Sequence, residues 1–562
     1  MGVPRLVLFF LIGSSLLAAV FLAAGCSSRP SAGNEGDDGA PPAGGGGDDE
    51  FPGEPVPVVE YVNLEADPAP PNPVTGAVTP PELNRIGFLR FRADTGDAPP
   101  RPVSAILLLL GGHTIGTNEF LHLGREMVRM SGGNVEVWAQ ERRSHFLEDN
   151  WGVNRAEDLR DPRIAQGYYF HDQEVDGRTF GGFLNPRGPE TEMMSEWGLA
   201  LEYADIHRIL SLVPDGARQT AVFLGGHSRG VAFAEGYAAY LFPDGHRGKD
   251  DVAGLVLIDG GARGGGPQTA ADYLQQIDDM RRGKMVRTFA IPFSAIAAPI
   301  YVELEIAAMA AADGLTDPDD PEMGPDGIWT GGATVLHALL DVASGRKVTV
   351  TNAALFGCLM DNQFALFDLL TGQVGYPTGG AIEHGPKRDR LAESGVVYSW
   401  LDGDQVDPPE SGSIQLLFWG MFEGPSNVFD RYYAMRWDVE LDTAGYGRFE
   451  TEGTWRDAWF NERTSAVDVP VYALETSLLA GTGEFEAYRD LLAPLRGQDR
   501  PRTEAGYHHL LVPQWGHLDP CFARREMNPF YPDLLEWLLE TSTGTVRVPR
   551  FAPAPPPRVG GG

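Results

Sequence analysis

The pentapeptide Gly226–Gly230, with the sequence GHSRG, constrains the fold of this chain more than any other stretch. It has the form G-x-S-x-G and stands between an apolar run of β propensity, Thr220–Leu224, and a run of helix formers, Val231–Leu241. This pattern has structural meaning where a strand passes through a sharp turn into a helix. Its two glycines let strand and helix approach closely, and the turn lifts the serine hydroxyl above the sheet edge. The sequence therefore predicts a strand, a tight turn at Ser228 and a helix.

Short apolar runs recur along the chain and alternate with helical patterns. Such runs, bounded by glycine, proline or polar residues, are typical of strands buried on both faces of a doubly wound sheet. They are Val103–Leu110, Val135–Ala139, Thr220–Leu224, Val252–Ile258, Asp468–Glu475 and Tyr507–Val512, with a mixed strand at Arg85–Arg92. The expected helices are Phe120–Met130, Glu192–Val213, Phe485–Leu495 and Pro532–Thr541, and residues 150–190 are expected to be a loop. The sequence thus predicts the α/β class with a doubly wound, mostly parallel sheet.

Three segments that could carry chemistry follow these strands directly. Gly111–Thr114 follows the first buried strand, Ser228 follows the strand of the pentapeptide, and Asp259 follows the next one. The carboxyl ends of parallel strands meet at one edge of a sheet, and functional sites of doubly wound sheets lie there. We therefore expect these three segments to lie close together.

The alternation of strands and helices stops between residues 263 and 465. We interpret this stretch as a large, mainly helical cap inserted between a first core part, 81–262, and a second core part, 466–542. The apolar stretch Phe289–Ala312 is interrupted by prolines and glutamates, so it is not a membrane span. The aromatic residues of Leu416–Trp437 are expected to form core rather than a substrate wall.

Residues 1–25 resemble the signal peptide of a bacterial lipoprotein, because Arg5 precedes an apolar run and small residues lead to Cys26, the expected lipidation site. An ordinary secretory signal cleaved near Ala24, or an uncleaved membrane helix, is the alternative. Residues 26–80 are expected to be a disordered linker rich in Gly, Pro and Asp, and residues 543–562 a disordered tail. The protein is therefore expected to be exported and held at a membrane by a lipid anchor only, in the outer membrane or periplasm or at the cell surface of a bacterium.

The chain is strongly acidic, with 78 Asp and Glu against 44 Lys and Arg and a net charge of −34. Such a charge disfavours nucleic acids and anionic lipid surfaces as partners. Histidine and cysteine residues do not cluster with the spacing of metal ligands, so no metal and no cofactor is expected. Cys358 and Cys521 could pair in an oxidising compartment, or could be two buried thiols.

Over residues 83–262 and 466–541 the chain resembles the α/β-hydrolases. The resemblance rests on the GHSRG turn, on the apolar strand that ends in Gly111–His113, and on Gly516–Asp519 after the final strand. Members of this family carry nucleophile, acid and histidine in that order along the chain. Serine in the turn implies acyl transfer through an acyl-enzyme, whereas dehalogenases and epoxide hydrolases use an aspartate there.

The resemblance implies Ser228 as the nucleophile and His517 as the base that accepts its proton. Many members carry the acid after the seventh strand in a Gly-x-x-Asp setting, which this chain lacks; Glu475 stands near the end of that strand. A subgroup carries the acid after the sixth strand, where Asp259 stands. We favour Asp259 and keep Glu475 as the alternative acid. Asp519 is expected to shape the loop that carries the histidine.

Two backbone N–H groups are expected to form the oxyanion hole. One belongs to Arg229, directly after the nucleophile, and the other to His113, in the loop after the first buried strand. His227 is expected to point away from the site and to serve packing. His508 and His509 lie in a predicted strand and are expected to be structural.

The sequence thus predicts an exported serine hydrolase that cleaves carboxylic esters, with a small molecule or a lipid as substrate. The preference for hydrophobic esters comes from the apolar cap and the anchored position, by analogy with the fold alone. A peptidase or an acyltransferase on the same Ser-His-acid triad is a second possibility. A non-catalytic binding protein of the cell surface with the same fold is a third.

Overall fold

An eight-stranded sheet forms the centre of the molecule. The computed structural model describes residues 53–96, 98–261, 270–290, 297–314, 320–331, 334–366, 368–444, 466–492 and 506–551. The strands are β1 (Pro57–Glu65), β2 (Arg85–Ala93), β3 (Ala105–Leu110), β4 (Val135–Glu141), β5 (Val222–His227), β6 (Gly254–Ile258), β7 (Val471–Glu475) and β8 (Tyr507–Leu511). They lie in the order β1-β2-β4-β3-β5-β6-β7-β8, and only β2 runs antiparallel to its neighbours. This order confirms the doubly wound, mostly parallel sheet that the sequence predicts.

Each face of the sheet has its own hydrophobic core. All six residues of Ala105–Leu110 are buried, and they alternate between the two cores because successive side chains of a strand point to opposite faces. Leu121–Met130 and Phe530–Thr541 cover the first face, and Leu199–Leu210 and Arg229–Ala239 cover the second. Burial on both faces explains why these strands are continuous apolar runs.

The core contains further helices, and some of them were not expected from the sequence. They are Trp151–Leu159, Pro162–Phe170, Asp215–Ala221, Glu484–Leu491 and Asp519–Phe522. The first two lie in the expected loop 150–190, where buried side chains such as Val153 and Ala165 hold them against the first core. The expected helix 192–213 is two elements, a 3-10 helix at Pro189–Glu196 and an α-helix at Leu199–Leu210, because Gly198 between them is extended.

Both segments that the sequence predicts to be disordered contain ordered residues. Within the expected linker 26–80, Pro57–Glu65 pairs along its whole length with β2, because its apolar side chains cover the edge of the core. Within the expected tail 543–562, Val546 forms an antiparallel bridge to Val103 and is 3% exposed. Residues 1–52, with the predicted signal and Cys26, lie outside the described residues, as do residues 552–562.

A long insertion separates β6 from β7. Its helices are Ala270–Arg281, Ala298–Ala311, Thr334–Ser344, Asn352–Met360, Ile414–Leu417 and Met435–Ala444, with a π-helical turn at Phe418–Phe422. The sequence did not predict its three-stranded sheet of Thr349–Val350, Gly375–Thr378 and Val397–Asp402, nor its ribbon of Ile382–Glu383 and Arg390–Leu391. Residues 263 and 465, the predicted limits of the cap, lie outside the described residues, so those limits stay predictions.

The insertion packs on the loop that follows β3. The Asp430 N–H donates a hydrogen bond to the Thr114 carbonyl at 2.9 Å, and Phe429 forms a bridge with Ile115. Most aromatic residues of Leu416–Trp437 are buried, which confirms their expected role as core. Within the described ranges, every helix is too short or too polar to cross a bilayer.

Candidate active site

The turn after β5 has the strained form that the GHSRG pattern predicts. Ser228 has φ 56° and ψ −123°, a conformation that residues with a side chain rarely adopt, and the helix Arg229–Ala239 begins at the next residue. A Cβ atom at Gly226 would lie 2.1 Å from the Gly230 carbonyl carbon, and one at Gly230 would lie 2.0 Å from the Leu110 carbonyl oxygen. Only glycine fits at these two positions, so the close approach of strand and helix depends on both.

Asp259 lies in a second strained turn, directly after β6. Its φ is 42°, and its side chain is fully buried. The Ser228 N–H donates a hydrogen bond to the Ile258 carbonyl at 2.9 Å, and a Cβ atom at Gly260 would lie 1.8 Å from the Ser228 carbonyl oxygen. The two turns are therefore in direct backbone contact.

His517 and Asp259 form a buried pair in which His517 Nδ1 is 2.6 Å from Asp259 Oδ2. Thr476, directly after β7, donates its N–H to Oδ1 at 2.7 Å and its hydroxyl to Oδ2 at 2.5 Å. Burial opposes the charge on Asp259, but the hydrogen bonds from His517 and Thr476 outweigh it and lower the pKa of this carboxyl. The carboxylate is thus charged and fixed behind the ring.

The other ring nitrogen of His517, Nε2, is available for proton transfer. It is buried and has no hydrogen-bond partner among the described residues, Ser228 included. Catalytic hydrogen bonds are often made only when substrate is bound. Burial, and then the charge of the neighbouring His227, lower the pKa of His517 although Asp259 acts in the opposite direction. Near neutral pH the ring is therefore an imidazole with its proton on Nδ1 and a lone pair on Nε2.

Glu475, the alternative acid, does not contact His517. It ends β7, and its Oε2 is 3.0 Å from His509 Nε2 in the neighbouring strand β8. Successive side chains leave a strand on opposite faces, so Glu475 and Thr476 point in different directions, and Thr476 is the one that reaches Asp259. The structure therefore brings Asp259, and not Glu475, to the histidine.

The two candidate oxyanion donors lie on elements that meet at Ser228. Arg229 is the first residue of its helix, so its N–H has no acceptor within the helix. His113 follows Gly112, where an added Cβ atom would lie 3.1 Å from Ser228 Cβ. The Gly112 N–H is engaged by Glu119 Oε2 at 3.2 Å. The Gly112 N–H is thus already engaged, and the His113 N–H stays the candidate donor of this loop.

One carboxylate of the insertion holds the side chains of both candidate donors. Asp438, in the helix Met435–Ala444, places Oδ2 2.7 Å from His113 Nε2 and Oδ1 3.2 Å from Arg229 Nε. Arg229 also binds Asp442, one turn further along that helix. Burial opposes the charge on Asp438, but His113 and Arg229 outweigh it and keep the pKa of this carboxyl well below its usual value. The insertion therefore helps to order the loop and the helix that carry the donors.

The expectation that His227 points away from the site is wrong. Its ring is fully buried, Nδ1 lies 2.6 Å from Glu119 Oε1, and Nε2 lies 2.8 Å from the backbone carbonyl oxygen of His517. The loop that carries His517 folds onto the same face of the sheet as the His227 side chain. The two residues are 290 positions apart, so no local pattern could show this contact.

Sequence reasoning also missed Thr476, whose only signal is its place after a predicted strand. Other expectations are met: His508 Nε2 binds Asp533 at 2.7 Å, and Asp519 shapes its loop by accepting the Gly516 N–H at 2.7 Å. Cys358 and Cys521 are both buried free thiols, so the possible disulfide between them is not formed.

Four groups of side chains among the described residues could hold a metal ion, which local spacing in the sequence did not indicate. One of them, Glu119 with His227 and Cys521, lies against the candidate site. Both nitrogen atoms of His227 already face oxygen acceptors at hydrogen-bond distance. The ring therefore has no lone pair directed at a metal in this arrangement.

No protein-family model matches the chain, and no curated protein matches it in sequence. A Sulfolobus solfataricus protein assigned as a lipase is similar with a TM-score of 0.43 and 14% identity, over 86% of this chain and 94% of that one. A soluble variant of monoglyceride lipase from Saccharomyces cerevisiae, in complex with a substrate analogue, has a TM-score of 0.31 and 12% identity, over 88% and 99%. A thermostable carboxyl esterase from Bacillus coagulans, in complex with glycerol, has a TM-score of 0.32 and 12% identity, over 85% and 97%. At such low scores these similarities carry no argument about this chain; the fold is described from its strand order, and the site stays a candidate described by its own contacts.

Proposed function

We propose that this chain of α/β-hydrolase fold is a serine hydrolase that cleaves carboxylic esters through an acyl-enzyme. Ser228 is the nucleophile, His517 the general base, and Asp259 the acid that holds the ring. One observation carries the proposal: the 2.6 Å contact of His517 Nδ1 with Asp259 lies beside the strained turn of Ser228. The fold alone would not imply this chemistry.

In the proposed reaction the Ser228 oxygen attacks the ester carbonyl as its proton passes to Nε2 of His517. The ring is then an imidazolium, and the Asp259 carboxylate balances its charge. The N–H groups of Arg229 and His113 stabilise the negative charge that develops on the carbonyl oxygen, with the positive end of the helix behind Arg229. His517 returns the proton to the leaving alcohol, and water then hydrolyses the acyl-enzyme by the same steps.

Hydrophobic esters, of small molecules or of lipids, are the proposed substrates. The partly buried ring of Phe289 lies edge-on to His113, with ring centroids 4.7 Å apart. An apolar side chain therefore lies next to the proposed oxyanion loop, where it favours an apolar substrate over a charged one.

A fluorophosphonate probe tests the nucleophile, because it reacts only with a serine that a base activates. We expect the wild-type protein to be labelled at Ser228 and Ser228→Ala to remain unlabelled. Circular dichroism of both proteins controls for folding. A folded wild-type protein that resists labelling would instead support the non-catalytic binding protein.

Substrate class is a separate measurement. p-Nitrophenyl esters of increasing acyl chain length, tested beside peptide substrates, should show the highest kcat/KM for esters of intermediate or long chains. Cleavage of peptides at comparable kcat/KM would favour the peptidase, and transfer of the acyl group to an added alcohol in preference to water would favour the acyltransferase.

We also propose that the exported protein is anchored by a lipid on Cys26. The support is the sequence of residues 1–26, with a basic start, an apolar run and small residues before the cysteine. Cells grown with a palmitate analogue should incorporate it into the wild-type protein but not into Cys26→Ser. Unlabelled wild-type protein in the soluble fraction would indicate an ordinary secretory signal, and unlabelled, uncleaved protein in the membrane fraction would indicate a retained helix.

A further inference from the structure

A second histidine–carboxylate pair packs against the proposed base. The His227 ring lies 4.4 Å from the His517 ring, centroid to centroid, at an interplanar angle of 35°. His227 Nδ1 is 2.6 Å from Glu119 Oε1, and His227 Nε2 is 2.8 Å from the carbonyl oxygen of His517. Glu119 Oε2 in turn accepts the Gly112 N–H at 3.2 Å. This pair therefore joins the nucleophile turn, the histidine loop and the proposed oxyanion loop.

Both atoms that face the His227 ring nitrogens are hydrogen-bond acceptors. A neutral imidazole has one N–H and one lone pair, so it would place its lone pair against one of these two oxygens. An imidazolium donates at both positions. Glu119 Oε2 already accepts the Gly112 N–H, and Oε1 faces the ring, so an imidazolium beside a carboxylate matches a donor to an acceptor at each of these contacts.

The surroundings of His227 agree with a charged ring. Burial opposes a charge on the His227 ring, and the Glu119 carboxylate, 2.6 Å from Nδ1, favours it. Burial raises the pKa of the Cys521 thiol to about 11, so this residue is an uncharged neighbour near neutral pH. The negative charge that balances His227 is therefore that of Glu119.

We infer that His227 is an imidazolium near neutral pH, paired with Glu119, that positions His517 and keeps it unprotonated in the free enzyme. His227 is a positioning residue, because it binds the backbone of the base and not the substrate. Its charge state is inferred from the acceptors at both ring nitrogens. Its effect on catalysis rests on the proposed function.

The charged groups around His517 determine the sign of the effect. Asp259 faces Nδ1 and favours protonation of the His517 ring. His227 packs against the ring and disfavours its protonation. Glu119 lies behind His227 and weakly favours protonation of His517. Asp519 turns its carboxylate to the N–H groups of Gly516 and Gln373. Loss of the His227 charge therefore raises the pKa of His517.

Nitrogen NMR of the protein labelled with 15N-histidine tests the charge directly. The signals of His227 are assigned by their loss in His227→Gln. We expect both ring nitrogens of His227 to be protonated at about pH 8, well above the usual histidine pKa. In the Glu119→Gln variant we expect the His227 ring to be neutral. A neutral ring in the wild-type protein, with the proton on Glu119, would overturn the inference. This result does not depend on whether Ser228 is a nucleophile.

The pH profile of ester hydrolysis tests the effect on the base. The rate constant kcat/KM rises with pH as His517 loses its proton. In His227→Gln and in Glu119→Gln, we expect this rise to move to higher pH by about one unit or more, since an adjacent charge changes a pKa by that amount.

Cys521→Ala is the matched control, because it opens the same buried corner and leaves both charges in place. Its profile should stay at the wild-type position. An unmoved profile in both charge variants, or an equal shift in Cys521→Ala, would contradict the role of His227. A wild-type protein without esterase activity would refute the proposed function but leave the NMR result unchanged.

Discussion

At the scale of single residues, the site depends on how one carboxylate is held. Asp259 has a positive φ and is fully buried, so its side chain has little freedom. Its two oxygens accept three hydrogen bonds, two from Thr476 and one from His517. A charged, immobile acceptor of this kind fixes the proton of the imidazole on Nδ1 and leaves Nε2 free to act.

Substitution of the two candidate acids separates their roles. We expect Asp259→Asn to lower kcat by about 10²- to 10⁴-fold, because an amide no longer holds the ring in the required tautomer. Glu475→Gln should change kcat by less than about threefold, since its partner is His509 and not His517. Both are measured with a p-nitrophenyl ester on proteins of equal circular dichroism. A larger loss in Glu475→Gln would reverse the assignment.

At the scale of elements, close backbone approach shapes the site. Glycines stand where β5, its helix and the loop after β3 come closest, and a Cβ atom at any of them would meet neighbouring atoms. At Gly112, a Cβ atom would lie 3.1 Å from Ser228 Cβ and 3.6 Å from Glu119 Oε1. A single methyl group at that position would require Ser228 or the loop that carries the His113 N–H to move by a few tenths of an ångström.

We therefore expect Gly112→Ala to lower kcat/KM by roughly 10- to 100-fold, because small displacements of catalytic groups cost about that much. Gly216→Ala is the control: this glycine lies in the helix Asp215–Ala221, and a Cβ atom there would meet nothing within 4 Å. The control should keep full activity. Thermal unfolding of both variants shows whether a loss of activity reflects a loss of stability. Full activity in a folded Gly112→Ala would place the oxyanion hole elsewhere.

At the scale of the whole molecule, the insertion contributes to the site that the sheet carries. Asp438 contacts the side chains of both candidate oxyanion donors, although it lies more than two hundred positions beyond them in the chain. The backbone hydrogen bond from the Asp430 N–H to the Thr114 carbonyl holds the same loop. The insertion is therefore part of the scaffold of the site as well as a cover.

Asp438→Asn tests this contribution. We expect kcat to fall by about tenfold, equivalent to about 1.4 kcal/mol, because an amide loses the charge-assisted hydrogen bonds to His113 and Arg229. Asp442→Asn, which removes a contact to Arg229 alone, should cost less. The measurement is the steady-state kcat of the two variants, compared with that of the wild-type protein. Equal losses, or none in Asp438→Asn, would show that the insertion does not order the donors.

Local sequence patterns were sufficient to predict the sheet and the strained turn of this protein. Apolar runs buried on both faces require a parallel sheet covered on both sides, and the GHSRG pattern requires a strained turn between strand and helix. Ser228, Asp259 and the loop Gly111–Thr114 could be assigned to one sheet edge, because parallel strands align their carboxyl ends. Local composition misled at the ends of the chain, where β1 and the segment around Val546 pair or pack with distant partners.

The tertiary structure alone decided which groups meet. Glu475 and Asp259 both end strands, and only the directions of their side chains made Asp259 the partner of His517. The links from His227 to Glu119 and from Asp438 to His113 join residues far apart in the chain. Sequence patterns reflect local periodicity and turn chemistry, whereas the partner of a buried charged group depends on which residues the tertiary fold brings next to it. The sequence therefore determined the sheet and its turns, and the packing of distant segments determined the electrostatics of the site.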